Sequence, residues 1–212
     1  MNAPAEQADP RGSFLQAGQW FVDVVADLPG DAWQGPGLDR WDLRALVGHT
    51  TRALVTVRDY LGRADPAAVQ TEIDSPAEYF VQAARLADAA AVGARGVTAG
   101  QELGANPCGA VATAYEQAVL AVQATRGDPV IPTVAGTMRL SDYLPTRTLE
   151  LVVHTGDIGS AVGRRTQPPP DAWRMTGAVL LELAHRRGDA AMLAAALTGR
   201  AELPGGWSAL DR

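Results

Sequence analysis

The sequence predicts an all-α protein, a bundle of helices with short additions. Three observations carry this. Apolar residues recur at three- and four-residue spacing through most of the 212 residues, helix-capping residues stand before several of the periodic runs, and only one short stretch is rich in β-branched residues. With 47% hydrophobic and 20% charged residues, the chain has enough apolar surface to bury one core without disulfides.

Residues 1–12 read as a disordered start. Phe14, Ala17, Phe21, Val24, Val25 and Leu28 then mark one helix face, and Pro29-Gly30 ends the run. After a Gly/Pro loop from Asp31 to Leu38, a second helix is expected from about Trp41 to Leu61, with Asp39 or Asp42 as its cap. Ser75-Pro76-Ala77-Glu78 places Ser at N-cap, Pro at N1 and Glu at N3, a capping box for a helix running to about Ala94. Asn106-Pro107 opens a fourth helix, broken near Thr125 by Arg126-Gly127-Asp128-Pro129. Val130 to Leu140 is the β-branched stretch, read as a hairpin or an extended crossover. Ser141 is expected to cap a helix to about Val162, with Pro145 in its first turn. Pro168-Pro169-Pro170 is a rigid linker before two helices, Asp171–Arg187 and Asp189–Leu197. The tail from Gly199 carries turn signals and Trp207 and is compatible with an edge strand.

Composition narrows the chemistry. All 18 basic residues are Arg, which excludes Schiff-base and lysine-nucleophile chemistry. Cys108 is the one cysteine, so no intrachain disulfide and no CxxC site exists. A net charge of −6 without an Arg run argues against nucleic acid. No apolar stretch approaches membrane-spanning length, and the N-terminus lacks an apolar signal-peptide core, so a cytoplasmic protein is expected. The lysine-free, Ala-rich bias is read as the codon usage of a GC-rich genome.

Only His49, His154 and His185 remain for metal or acid–base work. Glu150 and His154 stand four apart on one helix face, Asp157 follows three residues later, and their neighbours Leu149, Leu151, Val152, Val153 and Ile158 are apolar. His49 sits among Leu46, Val47 and Thr50 on the second helix. Two imidazoles and a carboxylate from facing helices make a three-ligand set that leaves coordination positions open on a divalent ion. Spacing alone more often marks a solvated i,i+4 pair and a satisfied core histidine.

The stretch Trp41-Asp-Leu-Arg-Ala-Leu-Val-Gly-His49 resembles the W-x-x-x-x-L-V-x-H element of the DinB-like, mycothiol-dependent maleylpyruvate isomerase N-terminal family. Arg147-Thr-Leu-Glu150-Leu-Val-Val-His154-Thr-Gly-Asp157 is similar to its R-x-x-E-x-x-x-H-x-x-D element, and Gly136 to Leu144 and Leu197-Thr-Gly-Arg200 are similar to its actinobacterial members. The resemblance runs from about residue 13 to residue 200. It implies an up-down-down-up four-helix bundle over 13–166, a Pro-linked helical extension over 167–212 packed on it, and His49, Glu150 and His154 holding Zn²⁺ or another divalent ion such as Ni²⁺. It also implies mycothiol as cofactor or cosubstrate, a small electrophile as substrate, and isomerase or S-transferase chemistry in a monomer or homodimer. A metal-bound thiol is deprotonated, so no protein cysteine is needed.

Further roles are assigned on this basis. Asp157 is expected to orient a ligand or an arginine, against the alternative of pairing with Arg164 or Arg165. Arg147 is read as a structural ion-pair partner of Glu150 or Asp157, against the alternative of contacting substrate. Arg200 is expected to reach over the site and grip a carboxylate, against the alternative of a helix-end surface arginine. His185 is read as helix-end dipole chemistry, Cys108 as a small buried hydrophobe, and Trp20, Phe21, Trp33 and Trp41 as core and loop anchors. The isomerase carries a larger C-terminal domain than the roughly 40 residues here, so two helices and a tail either complete the pocket or leave it open. A non-catalytic thiol-conjugate or small-ligand binding module and a thiol-independent metal hydrolase are the competing functions.

Overall fold

The computed structural model describes residues 8–86 and 88–210. It is all-α, with eight helices and one two-stranded hairpin among the described residues: α1 Pro10–Ala26, α2 Leu43–Leu61, α3 Pro76–Leu86, α4 Ala89–Glu102, α5 Pro107–Ala124, β1 Val130–Thr133, β2 Gly136–Arg139, α6 Leu140–Ala161, α7 Pro170–Arg186 and α8 Ala190–Leu197. A single 3₁₀ turn, Ala32–Gln34, lies in the first loop.

Four helices form a ring in which α1 packs on α5, α5 on α2, α2 on α6 and α6 on α1. Side-chain contacts give their directions. Arg11 at the start of α1 donates to the carbonyls of Val122 and Thr125 at the far end of α5 (3.3 and 2.7 Å). Cys108 at the start of α5 reaches the carbonyl of Val25 at the end of α1, so the two are antiparallel. Gly18 of α1 lies against both Leu54 and Tyr115, and Arg58 bonds Gln117 further along both helices, so α2 and α5 run parallel. His49 lies beside His154 and Tyr60 beside Tyr143, which makes α2 and α6 antiparallel. The ring is therefore up-down-down-up. Phe14, Phe21, Leu46, Leu54, Val111, Leu144 and Leu151 fill its interior. Each such side chain contributes about 1.5–3 kcal/mol, against about 1 kcal/mol for a cap, so the core carries stability and the caps set boundaries.

Several boundaries differ from expectation for identifiable reasons. The disordered start falls partly on residues 1–7, which lie outside the described residues; from Pro10 the chain is helical, because Asp9 caps α1 by accepting from the backbone of Arg11 and Gly12 (3.1 and 2.9 Å). Asp42, not Asp39, caps α2 through the amide of Ala45 (2.7 Å). At α3 the Ser75 hydroxyl accepts from Glu78 N–H (3.2 Å), but the Glu78 carboxylate turns outward to Arg186 (2.8 Å), so only half of the capping box forms. The helix expected to run from 75 to 94 is two helices: Asp88 caps α4 through Ala90 N–H (2.8 Å), and α4 continues to Glu102. Asn106 and Pro107 open α5 as expected. The β-branched stretch is an antiparallel hairpin pairing Val130 with Arg139 and Thr133 with Gly136. Ser141 does not cap α6. The helix begins at Leu140, and Asp128 from the preceding loop accepts from both the amide and hydroxyl of Ser141 (2.8 Å each). Pro145 thus lies two residues deeper than expected, at the sixth helical residue, where the bond to the Ser141 carbonyl is lost.

Beyond the ring, α7 packs on α6, α1 and α3, and α8 packs on α7. The tail makes turns and bends with no strand over the described residues up to Leu210, so the edge strand is not formed. Trp207 instead donates to Asp189 (3.0 Å). Among the described residues no helix is long and apolar enough to cross a membrane.

Candidate metal centre

Antiparallel packing of α2 on α6 brings the first-turns half of α2 against the last half of α6, and the three candidate ligands meet at this seam. His154 Nε2 lies 3.2 Å from Glu150 Oε2, and His49 Nε2 lies 3.7 Å from the same oxygen. The His49 and His154 rings meet edge to face with centroids 5.0 Å apart. One donor atom from each of the three residues falls within 4.8 Å of the others. An ion bound tetrahedrally at about 2.1 Å needs donors roughly 3.4 Å apart, so the spacing fits a divalent ion after small side-chain adjustments. The side chains are 21, 22 and 17% exposed for His49, Glu150 and His154, which leaves the site reachable from one side.

Both candidate imidazoles are held from behind. His154 Nδ1 lies 3.0 Å from Asp157 Oδ2, so the carboxylate accepts the Nδ1 proton and leaves Nε2 facing Glu150 and His49. This is the arrangement in which an outer carboxylate fixes the tautomer and direction of a ligating imidazole. Arg164, the alternative partner of Asp157, donates instead to the carbonyl of Asp27 (2.6 Å). His49 stacks on Trp41 with centroids 4.6 Å apart and a 36° tilt, and Trp41 Nε1 donates to the carbonyl of Gly93 in α4 (3.0 Å). Trp41 is thus the loop anchor expected and also the support of a ligand. The signal was its place just before the α2 cap, two helical turns ahead of His49.

Arg147 makes no ion pair with Glu150 or Asp157, contrary to expectation. Its buried guanidinium lies over the rings of Tyr79 and Tyr143 at 5.1 and 5.0 Å, and its Nε donates to the Thr146 hydroxyl (3.0 Å). Cation–π contact takes the place of a carboxylate. Burial by itself would lower the Arg147 pKa, but Tyr143, Tyr79 and Glu150 reverse that and keep it charged. Burial likewise pushes the Glu150 carboxyl up, yet the imidazole of His154, the more distant His49 and the charge of Arg147 together hold it well below the usual carboxylate range. For His154 burial opposes the proton, while Asp157 and Glu150 win and raise it to about 9 in the metal-free state. The carboxylate is therefore anionic and available, and the proton on the Nε2 side is what a metal ion would replace.

A protein-family model matches residues 14–159, the mycothiol maleylpyruvate isomerase N-terminal domain. The chain belongs to this family. The match spans α1 to α6 and includes all three candidate ligands and Asp157. Neither the curated proteins nor the solved structures give a significant match to the chain.

The family match ends before α7, and Arg200 lies beyond it. Gly199 takes a left-handed φ of 70°, the amide of Arg200 bonds the carbonyl of Ala195 (2.8 Å) and that of Gly199 bonds Ala196 (3.0 Å), a Schellman closure of α8. The Arg200 side chain is exposed, and among the described residues no hydrogen bond or ion pair joins it to the three ligands. The structure does not bring Arg200 into the site; the Thr-Gly-Arg turn serves helix termination. His185 is exposed in the last turn of α7. Cys108 is part-buried at the α1–α5 contact, donating to the carbonyl of Val25.

The geometry makes Asp157 the most exposed dependence of the site. Asp157→Ala is expected to weaken Zn²⁺ binding by about 10–100-fold while leaving the helical circular dichroism unchanged, because His154 loses its orienting acceptor but not its place on α6. Competition with a chromogenic chelator measures this, and an unchanged affinity would remove Asp157 from the site.

Proposed function

We propose that the protein is a mycothiol-dependent, divalent-metal-assisted thiol transferase or isomerase acting on a small electrophile. The observation that carries the reading is the convergence of His49, Glu150 and His154 on a partly open seam in a chain of this family. A bound divalent ion would supply a thiol held as its thiolate at neutral pH. The chain's own residues do the rest. Asp157 fixes the tautomer of His154, Trp41 fixes the ring of His49, and Arg147 keeps Glu150 anionic without neutralising it by direct contact. Cys108 donates to the carbonyl of Val25 between α1 and α5, so the reacting sulfur comes from a cosubstrate.

Addition of a thiol to an activated alkene forms an S–C bond and places the thiol proton on the neighbouring carbon. Transferase chemistry stops at that adduct. Isomerase chemistry rotates about the new single bond and reverses both changes, returning the thiol.

The test is metal analysis of the purified protein followed by calorimetric titration with mycothiol. One equivalent of divalent metal and a thiol affinity that disappears with chelation are expected. A protein that takes up no Zn²⁺, or whose metal-loaded form ignores the thiol, overturns the reading. Thiol binding without consumption across a panel of electrophiles would favour a binding module, and turnover without thiol a hydrolase.

A further inference from the structure

A cavity of about 440 Å³ is lined by Glu150, one of the three candidate ligands, together with residues of α3, α7 and the tail. Its walls come from three places: Phe80, Val81 and Ala84 of α3, Leu183 of α7, and Leu210 of the tail. The family match stops at residue 159, so the α7 and tail walls belong to the part of this chain outside it. The volume is that of a small-molecule pocket.

The tail wall is fixed in place. Trp207 Nε1 donates to Asp189 (3.0 Å), Arg187 donates to the carbonyl of Ser208 (2.9 Å), and Leu210 packs on the cluster of Leu149, Val179 and Leu183. Leu149 precedes Glu150, so the same cluster supports the pocket and the ligand helix.

Charge decides what such a pocket takes. Two arginines stand at its rim, and both have carboxylate partners. Arg186 pairs with Glu78 and Glu182 (2.8 and 2.9 Å) and donates to Ser75, and Arg187 faces Asp189 (3.5 Å). Neither cation is left over for an anionic guest, and the remaining walls are mostly apolar. An anion entering here would have to displace the Arg186–Glu78 pair that ties α3 to α7, or the Arg187–Asp189 pair at the end of α7.

From this we infer that the cavity is the binding site for the electrophile, and that it selects uncharged, apolar electrophiles over carboxylates. This rests on the proposed function for the role of the occupant as substrate, while the cavity's preference for uncharged apolar molecules stands on its own walls. The thiol cosubstrate is left to approach from the open side of the seam.

The experiment uses two fluorescent probes of similar size, uncharged N-phenyl-1-naphthylamine and anionic 1-anilinonaphthalene-8-sulfonate, titrated into the full chain with and without Co²⁺. Ala84→Phe and Ala209→Phe fill the pocket from two independent walls, α3 and the tail. The uncharged probe is expected to bind saturably at one site, and each variant to weaken it by about ten-fold or more. The anionic probe is expected to bind about ten-fold more weakly than the uncharged one in the wild type. Saturable binding that neither variant alters, absence of binding, or tighter binding of the anion overturns the inference. Unchanged Co²⁺ absorption in both variants shows that they are folded. If the wild-type protein shows no Co²⁺ band but binds the uncharged probe as described, the proposed function fails and the pocket stands.

Discussion

Glu150→Gln is expected to yield a folded protein that no longer retains a divalent ion. The carboxylate is the one anionic member of the three-ligand set, and both imidazoles approach the same oxygen, at 3.2 and 3.7 Å. Glutamine keeps the shape of the side chain but offers only a neutral carbonyl oxygen, and its amide adds two N–H donors aimed into a seam lined by imidazole nitrogens. Loss of affinity should exceed the roughly 10–100-fold that follows removal of a supporting outer carboxylate, because here the bond itself is lost. The fold survives, since Glu150 is one partly exposed residue on a helix anchored by Leu144, Leu149, Leu151 and Ile158. Equilibrium dialysis against Zn²⁺ measures the effect, with thiol-dependent turnover expected to vanish in parallel. Wild-type metal stoichiometry and affinity in Glu150→Gln would show that the ion, if bound at all, sits elsewhere. The substitution therefore separates this site from any other place where metal might collect.

The legible and illegible parts of the molecule divide along one physical line. The shared face of Glu150 and His154 is legible because a four-residue spacing puts both on one side of the helix whatever the rest of the chain does. The caps at Asp42 and Asn106 were readable for the same reason, each bonding an amide three residues ahead. What local sequence hid was supplied across long separations. Asp128 caps α6 from the other end of the hairpin, and Arg147 is balanced by Tyr79, 68 positions away on α3, rather than by a carboxylate nearby. Arg200 shows the reverse hazard: a turn that resembles part of a functional motif is used here to stop a helix. The largest difference from expectation lies at residues 93–100. The helix opened by the capping box at Ser75 is expected to end near Ala94, whereas α4 runs on through Gly96 and Gly100 to Glu102. Gly96 lies against the Trp41 ring, and Gly100 is where α4 lies directly on the helix that carries His49.

That contact sets the second large effect, a loss of stability in Gly48→Ala. A β-carbon at position 48 would lie 2.2 Å from the amide nitrogen of Gly100, 2.4 Å from the carbonyl carbon of Ala99 and 2.5 Å from the Gly100 Cα. Every one of these atoms is backbone, so no rotamer change relieves the clash and α4 has to move off α2. The reciprocal contact is also tight, since a β-carbon at Gly100 would come within 2.9 Å of the Ala45 Cα. Overpacking of this kind costs about 3 kcal/mol at the upper end of its usual range, which lowers the melting temperature of a domain this size by roughly 6–12 °C. The damage reaches the metal site, because α4 also holds Trp41 through the Gly93 carbonyl and lies under its ring at Gly96. Metal affinity should therefore fall along with stability, although Gly48 is not a ligand. Gly93→Ala is the control on the same surface. Its β-carbon would meet nothing within 4 Å, so the only change is the entropic gain of Ala over Gly in a helix, about 0.5–1 kcal/mol in the opposite direction. Thermal melts of the two variants should move apart on either side of the wild type. If Gly48→Ala melts with the wild type, the close packing of α4 on α2, and with it the support of His49 through Trp41, is wrong.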